Sequence, residues 1–195
     1  MGLANSDLPG AGYGVFLRGD YPSGTRLATY SGKHITIADV NNPQYDVSYV
    51  WSDLDQAEAL TARGRRPLII DANPRFAPLD WGGMINDGLT RAANVYLHRV
   101  RDQLFVTLLT DGVSGMELYL EYGPEYWQAK YFSLPTDLRQ EVAACYNLTV
   151  LGDQCFRPPE IAALRKDKRI HQENGKWCWG PPQPRANKTR TQDRR

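Results

Sequence analysis

The chain has 195 residues, 42% of them apolar and 23% charged, which is the composition of a globular, soluble body. That length is enough to bury a core without disulfide staples, as one domain with appendages or two small ones, and no apolar run reaches the length of a membrane span. The net charge of +1 conceals an asymmetry: residues 1–156 carry 12 Lys/Arg against 18 Asp/Glu, and residues 157–195 carry 11 against 4.

Thirteen Pro and seventeen Gly predict many turns and short strands rather than a helix bundle. Gly14-Val15-Phe16-Leu17 and Arg26-Leu27-Ala28-Thr29-Tyr30 read as two β segments around the turn chemistry of Asp20-Tyr21-Pro22-Ser23-Gly24. Val47 to Trp51 is a further strand. Residues 55–63 fit a short helix or a long loop equally well. Pro67 to Asp71 is a strand ending on a polar residue, and residues 72–94 are irregular. Asn94 to His98 and Leu104 to Leu109 are strands about an Arg101-Asp102 turn, and Leu118 to Tyr122 is the last strand of the body.

The pattern then changes. Leu134-Pro135-Thr136-Asp137 starts a helix that carries Leu138, Val142 and Cys145 on one face. Pro158-Pro159-Glu160 opens a second helix, which Asn174-Gly175 stops. The expected organisation is a mainly β (α+β) body over residues 1–132, a helical extension over 133–180, and a basic, disordered tail over 181–195.

Three cysteines, Cys145, Cys155 and Cys178, are an odd count with no C-x-x-C pair. This argues against a disulfide framework or a cysteine-rich zinc site, and for a reducing, intracellular setting, nuclear or cytoplasmic. His34, His98 and His171 lack metal-ligand spacing, so no metal site is expected. No Walker-type loop and no motif of a nucleophilic triad is present.

Four places remain that could carry chemistry. Gly12-Tyr13-Gly14 lets backbone approach a ligand, because neither glycine has a Cβ, although a plain turn has the same composition. Asn86, beside apolar Met84 and Ile85, can offer a carbonyl and an amide to an amino-acid-like ligand, or satisfy loop backbone instead. Tyr122, ending a strand before Gly123, presents a hydroxyl. Tyr126 and Trp127 could stack on a flat ring.

The order of the pieces is more specific than any piece. Gly-x-Gly-Val-Phe is followed by Tyr30-Ser31-Gly32, Ile70-Asp71-Ala72, Ile85-Asn86 with Asn94, Thr110-Asp111, Gly115-x-Glu117-Leu118 and Tyr122-Gly123. Over residues 10–127 this set resembles the SET-domain protein lysine methyltransferases. The resemblance implies small twisted sheets, with the C-terminal segment threaded under a loop as a pseudoknot. It also implies that S-adenosylmethionine and a peptide bind on opposite faces, joined by a narrow channel. Backbone at Gly12, Tyr13 and Gly14 would hold the methionyl part of the cofactor. Asn86 and the backbone of Asp87 would hold its amino group and adenine side, and Trp127 would pack on the adenine. Tyr122 would line the channel near the sulfonium, with Tyr30 beside the incoming lysine. The substrate would be a basic protein or peptide, such as a histone tail, drawn to the acidic body. The basic tail could make a weak nucleic-acid contact.

The chain departs from the family pattern. The family usually has Asn-His-Ser-Cys where Asn86-Asp87-Gly88-Leu89 stands here, and Gly-Glu-Glu-Leu where Gly115-Met116-Glu117-Leu118 stands. Gly83-Met84 occupies the place of a frequent Arg-Phe. The pre-SET cysteine cluster and the post-SET zinc site are absent, so the helical extension is expected to close the adenine side. Asp87 adds a negative charge near a cationic cofactor. The alternative reading is a catalytically weak SET-like binding or scaffold module in chromatin.

Overall fold

In the computed structural model, which describes residues 1–42, 44–46, 48–76, 81–173 and 176–180, the chain divides between Tyr122 and Gly123 into two compact units. The sequence reading places this boundary ten residues later. The expected basic tail, residues 181–195, lies outside the described residues, as do Asn174 and Gly175.

The first unit begins with a strand that the sequence reading lacks. β1 (Gly2–Asn5) pairs antiparallel with β2 (Tyr13–Phe16). After the expected turn, in which Gly24 takes φ +80°, come β3 (Arg26–Thr29) and the short β4 (Lys33–His34). Thr36 and Asp39 then cap a single-turn helix, α1 (Ile37–Val40), reciprocally. β5 (Val50–Ser52) precedes α2 (Ala57–Ala62), so the ambiguous stretch is helical. β6 (Ile69–Asp71) leads into the irregular segment, which contains the two-residue β7 (Asn86–Asp87). β8 (Val95–Val100) and β9 (Gln103–Leu108) form the expected hairpin, with Arg101 at φ +56° in its turn, and β10 (Tyr119–Leu120) ends the unit.

These strands form small sheets. β3, β9 and β8 make one antiparallel sheet, and β4, β6 and β5 another. β7 and β10 pair parallel, Asn86 beside Tyr119 and Asp87 beside Leu120. One apolar cluster joins Val15, Leu17, Ile85, Val95, Val106, Leu108, Leu118 and Leu120. It therefore ties β2, the Asn86 segment, the β8–β9 hairpin and the final strand together, each buried aliphatic side chain contributing about 1.5–3 kcal/mol. A second cluster holds Tyr30, Leu68, Ile70, Ala72 and Leu104.

The second unit is not purely helical. α3 (Pro124–Lys130) and α5 (Pro158–Lys166) both start on proline, which suits a first helical turn because its missing N–H is unpaired there anyway. α4 (Thr136–Tyr146) ends where Asn147 turns left-handed, at φ 51° and ψ 40°. Two antiparallel hairpins complete the unit: β11 (Thr149–Leu151) with β12 (Gln154–Phe156), and β13 (Ile170–Glu173) with β14 (Lys176–Trp179). α5 stops at Lys166, with Lys168 at φ +55° soon after, rather than running on towards Asn174-Gly175. Leu151, Ile161 and Ile170 form its core, with Phe156, Leu164 and Trp177 packed against them. The whole is a mixed α and β fold with several small, chiefly antiparallel sheets. No helix among the described residues is long and apolar enough to cross a membrane.

Candidate functional site

The parallel pairing of β7 with β10 brings together residues that lie far apart in sequence. Leu118 donates its N–H to the Val15 carbonyl (2.8 Å), and Leu17 to the Met116 carbonyl (2.9 Å). The 115–120 segment therefore runs beside β2 on one side and β7 on the other. Gly12-Tyr13-Gly14, Asn86 and Tyr122 converge on this segment.

Glu117 is the hub. Its carboxylate is 3% exposed and accepts from Ser6 Oγ (2.7 Å), the Asp7 N–H (2.7 Å), Tyr119 OH (2.8 Å) and, more weakly, Asn86 Nδ2 (3.4 Å). Burial pushes its carboxyl up, but these donors outweigh burial and hold it below the usual Glu value. Burial also pushes the Tyr119 phenol up, to about 12, with the neighbouring Glu117 charge adding to the effect and Arg91 opposing it. Arg91 Nη1 donates to Tyr119 OH at 2.6 Å. In the sequence Glu117 stands within the Gly115-x-Glu117-Leu118 motif with no role of its own. Nothing in the local pattern marks it, because its partners come from residues 6, 7, 86 and 119.

Asn86 is partly exposed and uses its amide to donate to the Tyr13 carbonyl (3.0 Å). It thereby fixes the Gly12–Gly14 backbone against β7. Among the described residues its Oδ1 takes no hydrogen bond, which leaves an acceptor at the junction. Of the two reasons for Gly12 and Gly14, the structure separates one from the other. A Cβ on Gly14 would lie 2.0 Å from Glu117 Oε1, so Gly14 is needed for packing. A Cβ on Gly12 would meet nothing within 4 Å, but φ is +72°, which favours glycine. The Tyr13 side chain is exposed.

Asp87 does not face open space. Its buried carboxylate accepts from the Leu89 N–H (2.7 Å) through Oδ1 and from the Tyr122 N–H (2.7 Å) through Oδ2. This carboxylate is a clamp between the Asn86 segment and Tyr122. Tyr122 is half-buried, and its OH donates to the Ile85 carbonyl at 2.6 Å. Both ends of Tyr122 are thus anchored to residues 85–87. Asn94 completes the joint: its Nδ2 donates to the Glu117 carbonyl (2.7 Å) and its Oδ1 accepts from the Tyr119 N–H (2.8 Å), as a neighbouring strand would.

Tyr30 is placed differently. It is buried in the second cluster, and its OH donates to the Tyr49 carbonyl (2.9 Å). It lies close to Gly82, where a Cβ would be 3.0 Å from Tyr30 Cα. Asp71, fully buried next to this cluster, accepts from Tyr45 OH at 2.5 Å. Trp127 belongs to the second unit, where it is buried in α3 and meets Tyr126 edge-on at 5.1 Å.

No protein-family model matches this sequence, and no curated protein matches it. Solved structures do resemble it. The methyltransferase domain of human PR domain-containing protein 2 is 18% identical over 60% of this chain and 72% of that chain, with a TM-score of 0.44. CpSET8 from Cryptosporidium is 19% identical over 62% of this chain and 56% of that one, with a TM-score of 0.44. A chain of the polycomb repressive complex 2 from Chaetomium thermophilum is 22% identical over 62% of this chain and 15% of that one, with a TM-score of 0.46.

Proposed function

We propose that this chain is an S-adenosylmethionine-dependent protein lysine N-methyltransferase of SET type. The observation that carries the reading is the joint itself. The three pieces that the sequence resemblance implicates, Gly12–Gly14, Asn86 and Tyr122, share one hydrogen-bonded junction around Glu117 and Asp87. The parallel β7–β10 pair supports the reading of the last strand as the threaded segment of a pseudoknot.

The donor set fits the cofactor. Its ammonium group needs acceptors, and Asn86 Oδ1 is one that no described residue engages. Its methionyl chain needs close backbone approach, and no described residue fills the space beside Gly12. When bound, the cofactor supplies an electrophilic methyl group on a sulfonium sulfur.

The rest of the chemistry falls to the chain. Tyr122 gives its hydroxyl hydrogen to Ile85, so its oxygen presents lone pairs rather than a proton. It accepts an N–H of the substrate amine and holds the nitrogen lone pair in line, so that alignment supplies much of the acceleration. A lysine must be neutral to attack, and an apolar surrounding beside a like charge lowers its pKa. A net charge of −6 over residues 1–156 favours a basic peptide, with a histone tail as the first substrate to try.

The test pairs calorimetry of S-adenosylmethionine binding with transfer of labelled methyl to a lysine peptide array. Saturable binding that weakens in Asn86→Ala, with transfer to lysine, supports the enzyme. Binding without transfer to any lysine supports the non-catalytic SET-like module, and absence of binding overturns both the cofactor and the reaction.

A further inference from the structure

The β13–β14 hairpin places three metal-ligating side chains on one face. His171 lies directly across from Cys178 in the register, and Glu173 follows His171 by two residues on the same strand. Residues opposite each other, and residues two apart, point to the same side of a pleated pair. Consistent with this, one ligand atom from each of His171, Glu173 and Cys178 lies within 4.8 Å of the others. The opposite face carries Ile170 and Trp177, which pack on the core of the second unit, so the three ligand side chains look away from it.

The imidazole is already oriented as a ligand. Its Nδ1 is 2.8 Å from the Gly180 carbonyl, which cannot donate, so Nδ1 carries the proton. In the neutral ring Nε2 is then the acceptor, and Glu173 Oε2 lies 3.9 Å from it. A ligating histidine usually has this second hydrogen bond to a carbonyl or carboxylate, which fixes the tautomer. His171 is only 13% exposed, so its ring is held by the hairpin rather than free in solvent.

We propose that His171 Nε2, Cys178 Sγ and Glu173 bind a zinc ion, with the fourth position left to water or another ligand. Thiolate, imidazole and carboxylate together are donors that zinc accepts in tetrahedral geometry. Zinc–ligand bonds of about 2.0–2.3 Å put neighbouring donors roughly 3.4 Å apart. The donors must therefore draw in from separations of up to 4.8 Å. Glu173 is largely exposed, whereas His171 is held by the hairpin, so the His–Cys pair carries most of the affinity. The ion would cross-link β13 to β14 at the inner pair His171–Cys178. No metal site is expected from the sequence, because the histidines lack metal-ligand spacing and no C-x-x-C pair is present; His171 and Cys178 lie seven residues apart and meet only through the strand register.

The test uses the reduced full-length chain and cobalt(II) chloride as the spectroscopic probe. One equivalent of cobalt should produce a thiolate-to-cobalt charge-transfer band that zinc chloride abolishes. Loss of an outer hydrogen bond alone costs about 10–100-fold in affinity, so His171→Gln should weaken zinc binding by about 100-fold or more. Cys178→Ser, a conservative change that preserves the hairpin, should remove the band, whereas Cys145→Ser should keep it. No thiolate–cobalt band in the wild type, or an undiminished band in Cys178→Ser, overturns the site.

Discussion

Replacing Asp87 by Ala is the sharpest probe of how the site is built. The Asp87 carboxylate is 6% exposed and holds two backbone N–H groups, of Leu89 and Tyr122, at 2.7 Å each. Hydrogen bonds to a charged group contribute about 1.5–3 kcal/mol each. Losing both should cost about 3–5 kcal/mol, a large part of a total stability of about 5–15 kcal/mol. Leu89 sits at φ 51°, a region that an apolar side chain rarely adopts, and Asp87 is what holds it there. Urea denaturation should show the midpoint falling by about 2 M for a slope near 2 kcal/mol/M. The Leu89 and Tyr122 amides should also exchange hydrogen faster than their neighbours. Asp87→Asn keeps the shape and one acceptor, and should lose about half as much. Asp87→His, which installs the residue the family pattern favours, should behave like the alanine variant rather than improve the site. A loss below about 1 kcal/mol in Asp87→Ala, with unchanged exchange at Tyr122, would refute the clamp.

Further outcomes follow from the same joint. Gly14→Ala should destabilise by about 2–3 kcal/mol, because a Cβ there displaces the Glu117 carboxylate. Gly12→Ala, at φ +72° but in open space, should cost only about 1 kcal/mol, read from the same denaturation curves. The folded carboxyl of Glu117 lies below its ordinary value, so its contribution is present above pH 4.5 and lost as pH falls through the folded value. The Tyr119 phenol is raised to about 12, so its contribution is present below pH 10 and lost as pH rises through about 12. Thermal melts of Glu117→Gln should therefore show a flatter acid limb than wild type; an unchanged limb would contradict the assignment.

Much of the first unit was legible because its strands carry strong local signals. The β8–β9 hairpin announces itself through alternating apolar residues about Arg101-Asp102, and Gly24 marks the turn before β3. The order of Gly12–Gly14, Asn86 and Tyr122 was also legible, and these residues meet. The joint that holds them was not. β7 and β10 are two residues long, too short for any periodicity, and their parallel register is set by the apolar cluster around Ile85 and Leu118. Tyr30 matched a motif by order alone, and burial among Leu68, Ile70 and Leu104 decides where it points. In the second unit, β11 and β12 flank Gly152-Asp153, a dipeptide suited to a two-residue hairpin turn, with Gly152 at φ +63°. That signal, and the Asn174-Gly175 dipeptide between β13 and β14, were present in the sequence; the second reads as a helix stop only when the strands beside it go unrecognised.

The most direct test of the central claim is the rate of labelled methyl transfer from S-adenosylmethionine to the best lysine peptide, measured for wild type and Tyr122→Phe. That variant removes one oxygen and its bond to Ile85, at a stability cost of about 1 kcal/mol. The account expects cofactor affinity within a few-fold of wild type and transfer slower by about 100-fold or more, since the loss is in alignment of the amine. Equal transfer rates with and without the Tyr122 hydroxyl would contradict it.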